Sequence, residues 1–229
     1  MNIQGLQKLT LLDFPKHVAC TIFTGGCQLN CPFCHNSELI PNAYSEGIKE
    51  EEVLSFLKKR QGILDGVCIT GGEPLVQKDI EAFIKEIRAL GYMVKLDSNG
   101  GYPEQLKHLI DNGLVDYVAM DIKNTPEKYG MTVGVKNLDI SPYIKSRDLL
   151  MEGKVDYEFR TTIVKEFHTF EDIIGIADFI KGAHRYYLQS FVDRDQVRDH
   201  SLTAYEKEEL EKVLQSVKKI LPCAELRGV

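Results

Sequence analysis

The sequence predicts an α/β fold in which a mainly parallel sheet curls into an incomplete, open-sided (β/α)6 barrel. Six short segments rich in β-branched and aromatic residues recur along the 229 residues, and amphipathic helical patterns separate most of them. Such alternation builds βα units, because two parallel strands need a crossover connection between them. A complete (β/α)8 barrel takes about 250 residues, so a chain with six units leaves the barrel open. A doubly wound sheet shows the same alternation, and the pattern by itself also allows that fold.

The predicted elements follow each other in a regular order. Strands are expected at 17–24, 66–70, 92–98, 115–122, 155–164 and 186–192. Apolar residues at helical spacing predict helices at 48–61, 78–90, 103–112, 141–151, 170–180 and, as the C-terminal helix, 203–220. No linker or repeat divides the chain, so a single domain over 1–229 is expected. Ligands bind at the carboxyl ends of parallel strands in both candidate folds, and functional residues should lie there.

Charge and composition exclude several classes of protein. The chain has 34 acidic and 28 basic residues, a net charge of −6 that disfavours nucleic-acid binding. No uninterrupted apolar run approaches the roughly 20 residues that cross a bilayer. With 43% hydrophobic and 27% charged residues the composition is that of a globular protein. We therefore expect a soluble cytoplasmic protein that binds neither nucleic acid nor membrane.

A loop over 25–37, the cluster loop, follows the first predicted strand and holds three of the six cysteines at C-x3-C-x2-C spacing: Cys27, Cys31 and Cys34. Three thiolates can anchor three irons of a 4Fe-4S cubane and leave the fourth iron open to another ligand. The alternative is a structural zinc site that Cys20 or His35 completes. Zinc sites generally pair two C-x2-C units, and only Cys31 and Cys34 have that spacing. Cys20, Cys68 and Cys223 are expected to be small buried apolar groups.

The next strand ends also carry unusual residues. Thr70-Gly71-Gly72-Glu73-Pro74 follows the second strand; its paired glycines let a ligand approach the backbone, and its proline suits a first helical turn. Asp97-Ser98 ends the third strand and Asp121 the fourth. A lone carboxylate is costly to bury, so the two acids are expected to share a cation, a sulfonium neighbourhood or Lys123. An ordinary ion pair is the alternative.

The cysteine motif, with Phe33 before its last cysteine, resembles the signature of radical S-adenosylmethionine (radical SAM) enzymes. The resemblance implies a barrel of the radical SAM type in which Cys27, Cys31 and Cys34 hold a 4Fe-4S cluster. It also implies that the amino and carboxylate groups of S-adenosylmethionine bind the open iron, and that cleavage of the sulfonium produces a 5'-deoxyadenosyl radical. The backbone of Phe33 is then expected to touch the adenine.

The same resemblance assigns expected roles to other residues. The Gly71-Gly72-Glu73-Pro74 segment resembles the family's motif for the methionine amino group, with Glu73 as the side chain that contributes. The segments around Asp97, Ser98 and Asp121 look like those of pyruvate formate-lyase activating enzyme, where the matching groups surround a monovalent cation. Related activases place an arginine at the position of Arg160, although a structural ion pair is also open, and Gln189 is expected near the adenine. His168 is expected to be a surface histidine.

Over its whole length the chain is similar to anaerobic ribonucleoside-triphosphate reductase activating proteins, in the segments 5–15, 21–27, 31–36 and 225–228. It departs at Lys16-His17, where relatives often have a glycine after Asp-Phe-Pro. The similarity implies an activase that forms a glycyl radical on the large subunit of the reductase, with an electron donor of the flavodoxin or ferredoxin type. Two alternatives stay open: a radical SAM enzyme for a small molecule, like 7-carboxy-7-deazaguanine synthase, and a zinc-stabilised binding module without enzymatic activity.

Overall fold

The computed structural model describes residues 1–40 and 47–228. Eight strands form one sheet in chain order, antiparallel between the first two and parallel in every later pair. They are β1 (Ile3–Thr10), β2 (Ala19–Thr24), β3 (Gly66–Gly71), β4 (Met93–Ser98), β5 (Tyr117–Asp121), β6 (Asp156–Ile163), β7 (Tyr186–Ser190) and β8 (Ala224–Arg227). Within the described ranges β1 and β8 are the two ends of the sheet order, so the barrel is open between them.

Helices follow most of the parallel strands. They are α1 (Glu50–Lys58), α2 (Ile80–Ala89), α3 (Pro103–Asp111), α4 (Tyr129–Thr132), α5 (Ser141–Met151), α6 (Phe170–Phe179) and α7 (Lys207–Val217). Apolar residues at helical spacing form the buried face of α2: Ile80, Phe83, Ile84 and Ile87. A capping box of Thr169 and Asp172 begins α6. In the part of the chain that is described, no helix has the length and apolar character to span a bilayer.

The partial barrel predicted from the sequence is confirmed, and all six predicted strands are present, as β2 to β7. The edge strands β1 and β8 were not predicted. Most residues of β1 are partly or fully exposed, and β8 has four residues of which only Ala224 is buried, so neither shows the apolar alternation typical of strands. The C-terminal helix is shorter than the predicted 203–220, since it begins at Lys207 and ends at Val217.

The inside of the barrel is polar, whereas the outside of its strands is apolar. Residues alternate between the two faces of a strand, and the outer face of β5, for example, buries Val118 and Met120 completely. On the inner face of the neighbouring β6, Glu158 accepts hydrogen bonds from the Tyr117 hydroxyl at 2.9 Å and from Arg227 at 3.0 Å. Because Arg227 lies on β8, this partly buried ion pair fastens the last strand to the rest of the sheet.

The segment that leads into β2 closes the amino-terminal end of the barrel. Phe14 is 2% exposed and packs against Ala19 and Tyr117, while a Cβ at Gly66 would lie 2.7 Å from its ring. The next turn requires a left-handed residue, because Lys16 has φ of +69°. Glycine adopts that conformation without the steric cost that a Cβ brings. The chain therefore places a lysine in a backbone conformation that favours glycine.

We predict that Lys16→Gly stabilises the protein by about 0.5–1 kcal/mol, because relief of the left-handed strain exceeds the extra entropy of an unfolded glycine. Urea unfolding measures the change. Lys16→Ala is the matched control: it removes the same side chain but keeps a Cβ, so its stability should stay within about 0.5 kcal/mol of the wild type. A Gly variant no more stable than the Ala variant would contradict the prediction.

Candidate functional site

A cavity of about 380 Å³ lies at the carboxyl ends of the parallel strands, bounded on one side by the cluster loop. Its size is that of a small-molecule site. Residues predicted for the site line most of it: Cys27, Cys31, Phe33, Cys34, Gly71, Gly72, Asp97, Ser98, Asp121, Arg160 and Gln189. The fold thus brings together side chains that are up to 162 residues apart in the chain, from Cys27 to Gln189.

Backbone hydrogen bonds hold the cluster loop in place. Gly26 N donates to Leu39 O at 2.6 Å, and Asn30 N donates to Val133 O at 2.9 Å. Asp199 N donates to Pro32 O at 3.3 Å, which attaches the loop to the segment that follows β7. The three thiols therefore reach the cavity on a loop that is fastened to several parts of the fold.

The surroundings of Cys27 and Cys31 favour the protonated form of these two thiols. Burial raises the pKa of Cys27 to about 12 and that of Cys31 to about 11, although Lys123 partly opposes the rise at Cys31. Thiolates are the metal-binding form of cysteine. A metal centre at these residues must therefore displace their protons, as cysteine sites generally do when they bind metal.

The donor set fits an iron-sulfur cluster. Three thiols line one cavity whose remaining wall is polar and open to a further ligand, and soft thiolate ligands suit such clusters. Within the described ranges, no three His, Cys, Asp or Glu side chains are close enough to share one metal ion; a cubane spreads its thiolates over several irons. Of the two alternative zinc ligands, Cys20 is buried in the apolar core, whereas His35 lines the cavity and pairs its Nε2 with Val192 O at 2.8 Å.

The two glycines at the end of β3 are required by the close approach of this turn to the cluster loop and the end of β2. A Cβ at Gly72 would overlap the Gly26 carbonyl oxygen, and a Cβ at Gly71, which has φ of +117°, would lie 2.4 Å from the Thr24 backbone nitrogen and oxygen. Two hydrogen bonds join the segments: Gly72 N to Thr24 O at 2.8 Å and Glu73 N to Gly26 O at 2.7 Å. The glycines therefore place the turn directly beside the cysteines.

Glu73 has a different position from the one predicted. Its side chain is fully buried and, like Pro74, does not line the cavity. The carboxylate accepts hydrogen bonds from Asn99 N at 2.6 Å, Ser98 Oγ at 3.0 Å and Leu75 N at 3.1 Å. Burial outweighs these three donors and raises the pKa of Glu73 to about 7. The residue ties the end of β3 to the end of β4 instead of presenting its side chain to a ligand.

Arg160 is the cation that the two strand-end acids share. Its guanidinium contacts Asp97 Oδ2 at 3.0 Å and Asp121 Oδ1 at 2.9 Å. The other oxygens also have cationic partners, Lys95 for Asp97 and Lys123 for Asp121. Every oxygen of the two acids, where a monovalent cation was expected, is thus paired with a side-chain cation. Against the effect of burial, Arg160 and its lysine neighbours hold the pKa of both carboxyls below its ordinary value.

Several further residues were missed or misplaced by sequence reasoning. Asp13, Thr70 and Asn99 line the cavity without having been predicted for the site, and for Thr70 and Asn99 the position at a strand end was the available signal. Lys123, which was expected as a partner of the strand-end acids, also lines the cavity and pairs with Asp121 at 2.9 Å. His168, predicted on the surface, is fully buried: Nδ1 accepts from Val164 N at 3.1 Å and Nε2 donates to Lys123 O at 2.8 Å. Burial lowers its pKa and favours the neutral imidazole. The ring thus connects the loops that follow β5 and β6 by hydrogen bonds.

Cys68 is buried as expected, but Cys223 is only partly buried.

Comparison with known proteins identifies the family. Residues 21–180 match the model of the radical SAM superfamily. A Methanocaldococcus jannaschii protein assigned to the glycyl-radical enzyme activating enzymes is 35% identical over 84% of this chain and 81% of its own length. The pyruvate formate-lyase-activating enzyme of Clostridium pasteurianum is 25% identical over 92% of this chain and 98% of its own.

Solved structures show the same fold at low sequence identity. Streptococcus suis SuiB bound to S-adenosylmethionine superposes with a TM-score of 0.70 at 16% identity, over 88% of this chain and 48% of SuiB. A domain of pyruvate-formate lyase-activating enzyme from Bacteroides vulgatus gives 0.58 at 17% identity, over 71% of this chain and 99% of the domain. The chain spans about half the length of SuiB.

We predict that Arg160→Met lowers the free energy of unfolding by about 1–3 kcal/mol, because it leaves two partly buried carboxylates without their shared partner. Urea unfolding at neutral pH measures the loss. Arg60→Met, at an exposed position after α1, is the matched control and should change stability by less than about 0.5 kcal/mol. Equal effects of the two substitutions would contradict a structural role for Arg160.

The raised pKa of Glu73 makes a pH-dependent prediction. Between its ordinary value of 4.5 and about 7 the folded protein keeps a proton that the unfolded chain has released, so its contribution to stability falls as pH rises through this interval. Glu73→Gln does not titrate. The stability of wild type relative to Glu73→Gln should therefore decline by about 3 kcal/mol from pH 4.5 to 7, as measured by urea unfolding in both proteins. A difference that stays constant with pH would contradict it.

Proposed function

The chain belongs to the radical SAM superfamily and, within it, to the glycyl-radical enzyme activating enzymes, and we propose that it forms a glycyl radical on an anaerobic ribonucleotide reductase. The observation that carries the proposal is the convergence of Cys27, Cys31 and Cys34 on one cavity at the strand ends. Hydrogen abstraction from a glycine of a partner protein needs such a radical-generating centre beside an opening, and the gap between β1 and β8 provides one.

Members of the superfamily use a 4Fe-4S cluster and S-adenosylmethionine, which together supply a hydrogen-abstracting radical when bound. In our proposal Cys27, Cys31 and Cys34 hold the cluster through their sulfurs. Arg160 and Lys123 carry the positive charge that can bind the carboxylate of the methionine moiety, and Asp97 and Asp121 carry negative charge beside them. A wall with charges of both signs suits a zwitterionic ligand, which has one carboxylate and one ammonium group.

Other residues that line the cavity suit a nucleoside. Phe33 is 3% exposed and its ring packs 5.7 Å from that of Phe167, which fixes the segment between Cys31 and Cys34. Gln189 of β7 lines the same cavity and has both a donor and an acceptor for a purine edge. The apolar side chains of Leu29 and Ile40 also line the cavity and help to exclude water from it.

The choice of partner follows the similarity of segments 5–15 and 225–228 to activating proteins of anaerobic ribonucleotide reductases. The relatives from Clostridium and Listeria instead have pyruvate formate-lyase in their names, so that enzyme is the second substrate to test. We further propose an electron donor of the flavodoxin or ferredoxin type and a cytoplasmic site of action, where thiols stay reduced. All six cysteines are free thiols in the structure.

The proposal is tested by anaerobic reconstitution with iron and sulfide, followed by reduction in the presence of S-adenosylmethionine and a purified target enzyme. A glycyl doublet in the electron paramagnetic resonance spectrum of anaerobic ribonucleotide reductase supports the proposal. A doublet with pyruvate formate-lyase alone would replace the target. Cluster-loaded protein that cleaves S-adenosylmethionine and yields no doublet with either enzyme would overturn the activase function, and stimulation by a metabolite would then favour a small-molecule substrate.

We predict that Cys31→Ala loses most of the iron and sulfide bound by the wild type and cleaves no S-adenosylmethionine, because two thiolates cannot anchor three irons. Cys223→Ala is the matched control, since Cys223 is partly exposed and does not line the cavity; it should bind iron like the wild type. Iron and sulfide analysis of anaerobically purified protein measures both. Zinc in place of iron in the wild type would favour a zinc-stabilised module.

A further inference from the structure

Asn99 contacts the sulfur of Cys27 across the cavity. It follows β4 directly, is 7% exposed, and places Nδ2 3.6 Å from Cys27 Sγ and 3.3 Å from Gln28 Oε1. Leu29 N is a second donor to the same sulfur, at 3.4 Å. Among the hydrogen bonds of the described residues, neither Cys31 nor Cys34 receives a side-chain N–H at its sulfur. Cys27 is thus distinguished from the other two thiols by its donors.

The orientation of the Asn99 amide is determined by its neighbours. Oδ1 accepts hydrogen bonds from Gly101 N and from Gln28 Nε2, both at 2.9 Å. A backbone N–H can only donate, so it selects the oxygen as its partner and leaves the NH₂ group facing the sulfur. Gly101 also keeps this space free, because a Cβ there would lie 3.0 Å from Asn99 Oδ1.

The backbone of Asn99 is anchored on the opposite side. Its N–H donates to the buried carboxylate of Glu73 at 2.6 Å, and Ser98 Oγ donates to the same carboxylate at 3.0 Å. The side chain and the backbone are therefore both held by partners other than a ligand. An amide that is preorganised in this way can direct a fixed dipole at the sulfur without a change of rotamer.

We propose that Asn99 is a positioning residue that donates a hydrogen bond to the Cys27 thiolate and thereby raises the reduction potential of the centre that Cys27 holds. Reduction increases the negative charge on coordinating sulfurs, and an N–H directed at such a sulfur stabilises that charge. The inference rests on the proposed function, in which Cys27 is a cluster ligand. It assigns a task to a side chain that contacts a ligating residue and need not contact the substrate.

The test is the midpoint potential of the reconstituted cluster, from a redox titration followed by electron paramagnetic resonance. Asn99→Leu keeps a similar shape and removes the N–H donor. We expect the equilibrium constant for one-electron reduction to fall about tenfold, the size of one hydrogen bond to a charged group, which corresponds to about 59 mV. Asn112→Leu is the matched control, because Asn112 is exposed, does not line the cavity and donates to His108 O at 2.8 Å; its equilibrium constant for reduction should stay within about twofold of the wild-type value.

Asn99→Asp keeps the test decisive if the leucine variant binds less iron than the wild type. Aspartate retains the acceptor for Gly101 N and replaces the N–H with a negative oxygen, so its potential should be lower still. A wild-type potential in Asn99→Leu with full iron content, or in Asn99→Asp, would overturn the inference and leave the proposed function standing. A wild-type protein that assembles no iron-sulfur cluster would overturn the proposed function itself.

Discussion

The interaction on which the site depends is the bridge that Arg160 makes between two partly buried carboxylates. Parallel strands direct Asp97 and Asp121 into the barrel at neighbouring positions, where both acids would repel each other and lose their solvation. The guanidinium between them offsets both costs, and Lys95 and Lys123 pair with the outer oxygens. Arginine suits this place because its planar fork can meet two carboxylates at once. The barrel can therefore have a polar interior beside its cysteines.

A second constraint is the contact between the cluster loop and the turn after β3. These two segments approach so closely that Gly71 and Gly72 have no room for side chains. Glu73 then connects the same turn to the end of β4 through two hydrogen bonds, from Ser98 Oγ and Asn99 N. Contacts therefore run without a break from the cluster loop, through Glu73, to the end of β4. Substitutions in this set that leave every ligand unchanged can still move the thiols.

Similarity to known proteins identifies the chemistry of this protein, whereas its geometry shows how the side chains of the site are supported. The fold recurs in SuiB, a protein twice as long and only 16% identical, so the barrel by itself says little about the substrate. The cysteine spacing identifies the cofactor chemistry, and similarity to activating enzymes identifies the reaction type. The geometry adds how this particular chain supports those groups: which side chains pair with each other, and which of them remain free to contact a ligand.

The sequence by itself determined the six parallel strands, the position of the cysteine loop and the list of strand-end residues, because periodicity and spacing are local properties. Only the tertiary structure decided which of those residues pair. Glu73 accepts a hydrogen bond from Asn99 N, 26 positions away, and Arg160 forms an ion pair with Asp97, 63 positions away. It also decided the edge strands and the burial of His168, whose partners come from other elements. Such pairings depend on the register between strands, which no single segment of the chain encodes.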